Sequence, residues 1–268
     1  VPLKVTFKKC ASALSQTGIY GVDYVLNPYT GCEHGCVYCY AVFMKRYSGH
    51  REEWGEFLDV KTNMPHVLRK EARRVAGKSI LLSSVTDPYQ SSEKKYEITR
   101  GCLVVLDGKG AEVSILTKSP LVLRDADLLS RARVGMTVTT ADDAVARMFE
   151  PCAPPPSQRF SALRTLKDKG IRTYAFFGPI LPYFSDTEKE MEDVLRKFQS
   201  TGVESVLIDR LNFRGRVFGR IIQMLRQTHP ELVEAYREIL AHSEEYGAAL
   251  KERVRSVVPE GMDAEILF

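Results

Sequence analysis

Long apolar runs are missing from this sequence. No stretch of its 268 residues approaches the roughly 20 consecutive apolar residues that a membrane-spanning helix needs, so no membrane segment is expected. No secretory leader is visible. The chain opens on Val1 rather than Met, so a few further residues are expected in front of it. Charge of one sign is also scarce: a formal net charge of +4 is too mild to identify a partner. There is no internal repeat or low-complexity tract, which excludes stacked-repeat and linker-like architectures. The histidines, His34, His50, His66, His229 and His242, show no metal-ligand spacing. Cysteine is sparse too, at six residues in a chain neither short nor visibly secreted. That argues against a disulfide framework and for a reducing, cytoplasmic setting.

What is present reads as an ordinary globular chain, 44% hydrophobic and 27% charged, long enough to bury a core without staples. Short β-rich runs alternate with helical segments, the pattern of parallel βαβ units. Strands are expected at 24–26, 79–83, 112–117, 133–140, 172–180 and 205–209. The clearest helix runs over 187–200, where Met191, Val194, Leu195 and Phe198 recur at helical spacing. Capping boxes at Ser185/Glu188 and Thr187/Glu190 offer its start, and Gly202 its end. Stretches 162–169 and 125–132 read as helices in the same way. Six strand–helix units suit an α/β fold, a partial (β/α)6 barrel of the TIM type, because a full barrel takes about 250 residues. The expected organisation is an N-terminal segment (1–22), the barrel (23–215) and C-terminal helices packed on it (216–268).

Three of the cysteines, Cys32, Cys36 and Cys39, fall together directly after the first expected strand. Thiolates at this spacing can converge from one loop on a polymetallic centre, and iron–sulfur clusters are held by such thiolates. Three protein ligands on a four-iron cluster would leave one iron open to a small molecule. A zinc site is the competing reading, with His34 as a fourth ligand of poor reach. In a parallel barrel, the loop after a strand lies on the face where active sites form.

These residues carry a resemblance. The Cys-x3-Cys-x2-Cys pattern with an aromatic before the last cysteine resembles the radical S-adenosylmethionine (SAM) superfamily. Residues 27–41 (NPYTGCEHGCVYCYA) are more narrowly similar to the spore photoproduct lyase-related family. So are Thr86-Asp87-Pro88-Tyr89-Gln90, Thr117-Lys118-Ser119, Leu123-Arg124-Asp125, Glu150-Pro151 and Pro179-Ile180-Leu181-Pro182. The resemblance implies a 4Fe–4S cluster on Cys32, Cys36 and Cys39, and SAM as co-substrate. It also implies a one-electron reductant of flavodoxin or ferredoxin type, and hydrogen abstraction by a 5′-deoxyadenosyl radical. It places Tyr38 near the adenine and Tyr40 near SAM and the hydrogen-transfer path. Thr86, Lys118 and Thr139 match positions that hold the methionyl part of SAM. Lys118 could equally be a solvated loop lysine, and the threonines simple strand formers. Asp87 and Asp209, at strand ends, could contact ribose or substrate, or act as structural caps.

The sequence departs from the lyases at one position. Characterised spore photoproduct lyases carry a hydrogen-donating cysteine where this chain has Ser84, and an O–H bond is too strong to replace an S–H bond as donor. Repair of the spore photoproduct is therefore not the expected activity. Cys152, in a Pro-rich loop, is the better remaining thiol candidate, while Cys102 reads as core. Arg210, Arg214, Arg216, Arg220 and Arg226, with Phe213 and Phe218 among them, suggest phosphate contact and base stacking, hence a nucleic acid or nucleotide substrate. A basic helical face is the plainer reading of that segment. A peptide or small metabolite is the alternative substrate, although the cysteine-rich C-terminal region that holds auxiliary clusters in many peptide-modifying members is missing. A cluster- or zinc-binding structural module is the non-enzyme alternative.

Overall fold

The computed structural model describes residues 2–213 and 215–268, so Arg214 lies outside the described residues. In chain order the strands are β1 (Lys4–Lys8), β2 (Ser15–Gln16), β3 (Tyr24–Leu26), β4 (Tyr29–Thr30), β5 (Phe57–Lys61) and β6 (Ser79–Leu82). They continue with β7 (Glu112–Thr117), β8 (Arg133–Val138), β9 (Arg172–Ile180), β10 (Ser205–Arg210) and β11 (Ala264–Ile266). The six strands expected from the sequence are β3, β6, β7, β8, β9 and β10, and they stand side by side in that order, all parallel. The fold is α/β, a partial TIM-like barrel. β2 extends one edge antiparallel to β3, and β11 extends the other parallel to β10.

Burial explains why these segments are strands. Ile80, Leu82, Ile115, Val134, Met136, Val138, Ala175, Val206 and Ile208 are essentially inaccessible and join one core. Parallel strands are covered on both faces, so near-continuous apolar runs are what such a sheet requires. The helix Glu188–Thr201 buries Met191, Val194, Leu195 and Phe198 on that core, as its spacing predicts. Its start uses the Thr187/Glu190 capping box, and Gly202 closes it at φ 74°.

Three local expectations change. The fourth strand ends at Val138 instead of running to Thr140. The stretch 125–132 is not an α-helix: a 3-10 run covers Pro120–Leu128 with a kink at Asp125 (φ −101°, ψ 17°). Its cause is the fully buried Asp125 carboxylate, which takes Arg100 at 2.8 Å and Arg124 at 2.7 Å and holds the backbone off helical geometry. The third change is an additional sheet, β1-β5-β4, in which β1 runs parallel to β5 and β4 antiparallel to it. This sheet carries the chain from β3 into the cysteine loop.

C-terminal to the barrel, helices Val217–Thr228, Val233–Ala241 and Ser243–Val257 close the structure. The first buries Val217, Ile221 and Leu225 in a cluster that includes Cys36 and Tyr38. The last sends Leu250 and Val254 into the main core. Among the described residues no helix is long and apolar enough to cross a membrane.

Gly31, the residue before Cys32, is held at φ 92°, and a Cβ there would lie 2.4 Å from the backbone oxygen of Phe57. Gly31→Ala is expected to lower stability by about 1–3 kcal/mol through backbone strain alone. The midpoint of a thermal melt would fall accordingly.

Candidate active site

The cysteine loop is short of its own secondary structure, so its polar groups are met from elsewhere. Within it, the Gly35 N–H donates to Cys32 O and the Cys39 N–H to Cys36 O, each at 3.2 Å. The loop after β6 holds one side. The Thr86 hydroxyl donates to Gly31 O at 2.5 Å, Gln90 Oε1 accepts the Glu33 N–H at 2.8 Å, and Glu33 Oε2 accepts the Ser92 N–H at 2.6 Å. Residues 149–152 hold another: Phe149 O accepts the Val37 N–H at 2.8 Å, and the Cys152 N–H donates to His34 O at 3.3 Å. From the helix Val217–Thr228, Arg220 donates to Gly35 O at 3.2 Å.

This bracing places Cys32, Cys36 and Cys39 on the wall of one cavity of about 350 Å³ at the C-terminal ends of the barrel strands. Tyr38, Tyr40, Thr86, Asp87 and Lys118 line the same cavity. Lys118 lies over the Tyr38 ring, its ammonium 5.6 Å from the centroid. Burial works against its charge, but the Cys36 sulfur, where ionised, and the Glu150 carboxylate hold its pKa above the ordinary value. Asp87 is tied down: it accepts from the Thr117 hydroxyl at 2.6 Å and from the N–H groups of Lys118 and Tyr89, each at 2.8 Å. Asp209 also faces the cavity, and burial raises its pKa. Ser84 stands on the wall, and its carbonyl accepts the Tyr40 hydroxyl.

Two expected residues are not brought to this cavity. Thr139 is fully buried behind it and points its hydroxyl at Glu150 (3.4 Å), because the strand has already ended; Thr137 lines the wall instead. Cys152 sits in an exposed turn whose backbone is spent on His34, and it does not line the cavity. The arginine-rich segment also divides. Arg210 donates to Ser243 O at 2.7 Å over Gly247, where a Cβ would meet its guanidinium at 1.7 Å. It therefore pins the last helix, although it borders the cavity as well. Arg220 turns inward to the cysteine loop. Arg216 is exposed and lines a second, larger cavity.

The donor set fits a cluster better than a single ion. Among the described residues no three His, Cys, Asp or Glu side chains gather at the spacing of one bound metal ion. His34 directs Nδ1 to Asp87 at 3.4 Å. Burial raises all three thiols, Cys36 to about 12, so each stays protonated until positive charge arrives and binding must release protons. Two buried donors face the cysteine loop: Arg220 Nη1 has no hydrogen-bond partner among the described residues, and Trp54 Nε1 has none of good geometry there but lies against the Cys39 sulfur. A polynuclear centre with acceptor sulfurs would meet them.

Residues 26–198 match the radical SAM superfamily, and the chain belongs to it. Among its relatives, the uncharacterized protein MJ0683 of Methanocaldococcus jannaschii is 41% identical over 183 residues, covering 67% of this chain and 69% of that protein. The uncharacterized protein Rv2578c of Mycobacterium tuberculosis is 30% identical over 95% of this chain and 80% of its own length. In fold, the chain is similar to spore photoproduct lyase. A variant of that enzyme with bound AdoMet and dinucleoside spore photoproduct superposes with a TM-score of 0.68 over 98% of this chain and 82% of that one, at 14% identity. Another variant reaches a TM-score of 0.73.

The sequence did not reveal the polar pair behind Tyr38. Arg159, fully buried, donates to Glu150 and, through Nη1, to Thr137 O at 3.0 Å; Glu150 also accepts the Tyr38 hydroxyl. Burial alone would raise the Glu150 pKa, but Arg159 and Lys118 hold it below the ordinary 4.5. A depressed carboxylate contributes stability that is complete above its unfolded pKa and lost as pH falls through the folded one. Wild-type Tm should therefore drop as pH falls below the ordinary Glu range, with a flatter acid limb in Glu150→Gln. Glu150→Ala leaves Arg159 buried and unpaired, and a loss of about 3–5 kcal/mol is expected in denaturant unfolding.

Proposed function

We propose that this chain reductively cleaves SAM at a 4Fe–4S cluster on Cys32, Cys36 and Cys39, and directs the resulting 5′-deoxyadenosyl radical at a hydrogen atom of a nucleotide unit. The convergence of the three thiols, Lys118 and Tyr38 on one cavity carries this reading. In it, Lys118 supplies a cation to the methionyl carboxylate, as a half-buried ammonium does well. Thr86 holds the cysteine loop in register, and Asp87 fixes the backbone that presents Lys118. Tyr38, anchored by Glu150, offers its ring to the adenine side. Tyr40 borders both this cavity and the next, so it stands between cofactor and substrate. The walls keep water from the reactive species. A flavodoxin- or ferredoxin-type protein delivers the electron.

The substrate class rests on the adjoining cavity of about 790 Å³. Lys45, Arg46 and Arg216 bring cations to it, and Tyr40 and Phe43 stack with ring centroids 6.4 Å apart at 29°. Cations beside exposed aromatic faces suit phosphates and bases. Spore photoproduct lyase, whose fold is shared, has been captured with a dinucleoside. Ser84 separates this chain from that repair reaction, and the exposed Cys152 is not assigned as hydrogen donor.

Anaerobic reconstitution followed by dithionite and SAM is expected to yield 5′-deoxyadenosine, and Cys36→Ala to abolish it. Zinc bound tightly with no iron uptake would refute the assignment. For the substrate, binding of single-stranded oligonucleotides should weaken with salt. Replacing Arg46 and Arg216 with Gln should lower the log–log salt slope by about 0.7 for each phosphate that is no longer neutralised. An unchanged slope would exclude this cavity as the phosphate site.

A further inference from the structure

Arg220 and Trp54 come to the cysteine loop from distant parts of the chain. Arg220 is on the helix Val217–Thr228, whose apolar face packs on Cys36, Val37 and Cys39. One guanidinium nitrogen donates to Gly35 O at 3.2 Å; the other, Nη1, is buried with no partner among the described residues. Glu53 is the acid that also faces this guanidinium, and it is engaged by Lys45 at 2.7 Å. Trp54, the sole tryptophan, is 4% exposed and packs with Cys32 and Cys39. Its indole N–H is likewise buried without a partner of good geometry, against the Cys39 sulfur.

Orphaned buried donors are rare, because each one leaves the loss of its hydration unrecovered. Two beside one cysteine loop amount to an arrangement for something negative and sulfur-rich. An arginine cannot relieve its burial by losing its proton. A thiolate-ligated cluster is an acceptor of this kind, and hydrogen bonds to its sulfurs together with nearby charge set its reduction potential. Reduction adds an electron to a centre that its thiolates already make negative. A fixed cation and an N–H donor aimed at those sulfurs stabilise the reduced form more than the oxidised one.

We infer that Arg220 and Trp54 are outer partners of the cluster at its Cys39 end and raise its reduction potential, easing electron entry from the one-electron donor. This rests on the cluster assignment proposed above. It also removes Arg220 from the phosphate-binding set that the sequence suggested, because its guanidinium is spent on the cysteine loop.

The test is an EPR-monitored redox titration of the full-length reconstituted protein, at matched iron and sulfide content and without SAM. Arg220→Gln should shift the midpoint to a more negative potential, Arg220→Lys should stay close to wild type because the charge remains, and Trp54→Phe should shift it negative by a smaller amount. A role confined to packing would leave the midpoint of any cluster-loaded variant where wild type has it. Coincidence of the Arg220→Gln and wild-type midpoints overturns the inference; if that variant fails to hold iron, coincidence in Trp54→Phe does so. Absence of any cluster in the wild-type protein would instead defeat the cluster assignment itself, so the two failures are distinct.

Discussion

The Asp87 carboxylate sits where three parts of the chain meet at the barrel mouth. It follows β6, accepts the Thr117 hydroxyl and the Lys118 N–H from the end of β7, and faces His34 in the cysteine loop at 3.4 Å. A carboxylate that is only 8% exposed must have its oxygens satisfied, and these partners do so. In doing so they fix the direction in which Lys118 leaves its strand and the depth at which the cysteine loop settles. The Thr86-Asp87 segment braces the mouth while lining the cavity: Thr86 holds Gly31, and Asp87 holds the turn at Lys118.

Charge is distributed unevenly behind this brace. The Glu150–Arg159 pair is wholly buried, and its members neutralise one another while anchoring Tyr38. Such a pair gains little net stability over an apolar replacement, but losing either half is costly. Lys118 and Arg220, by contrast, bring positive charge near the thiols, and neither has an ion-paired carboxylate among the described residues. The cavity therefore favours anions: a carboxylate near Lys118 and a negatively charged centre near Cys39. The same field opposes burial, which pushes the Cys36 thiol up to about 12.

The barrel was legible because parallel strands buried on both faces must be apolar runs, and nearly every such run here lies between helices. The cysteine triplet was legible as a unit because one loop supplies all three thiols. Less legible were features that depend on partners far away in sequence. Nothing local marks Arg159 as the partner of Glu150, or turns Arg220 inward while Arg216 stays exposed. The 125–132 stretch carries helical spacing, yet the buried Asp125 and its two arginines impose another geometry. Thr139 and Thr137 are indistinguishable in sequence, and the end of β8 alone decides which one reaches the cavity.

By itself, then, the sequence determined the six parallel strands in their order and the cysteine loop after the first of them. It did so because side-chain hydrophobicity and ligand spacing are local properties. Only the tertiary structure decided which side chains share a cavity, that Cys152 stands outside it, and that Trp54 and Arg220 converge on the cysteine loop. Those outcomes depend on how far each loop is drawn in to satisfy its backbone, and on which buried charges find partners. Both are settled by the packing of segments more than a hundred residues apart, as when Arg220 meets Gly35.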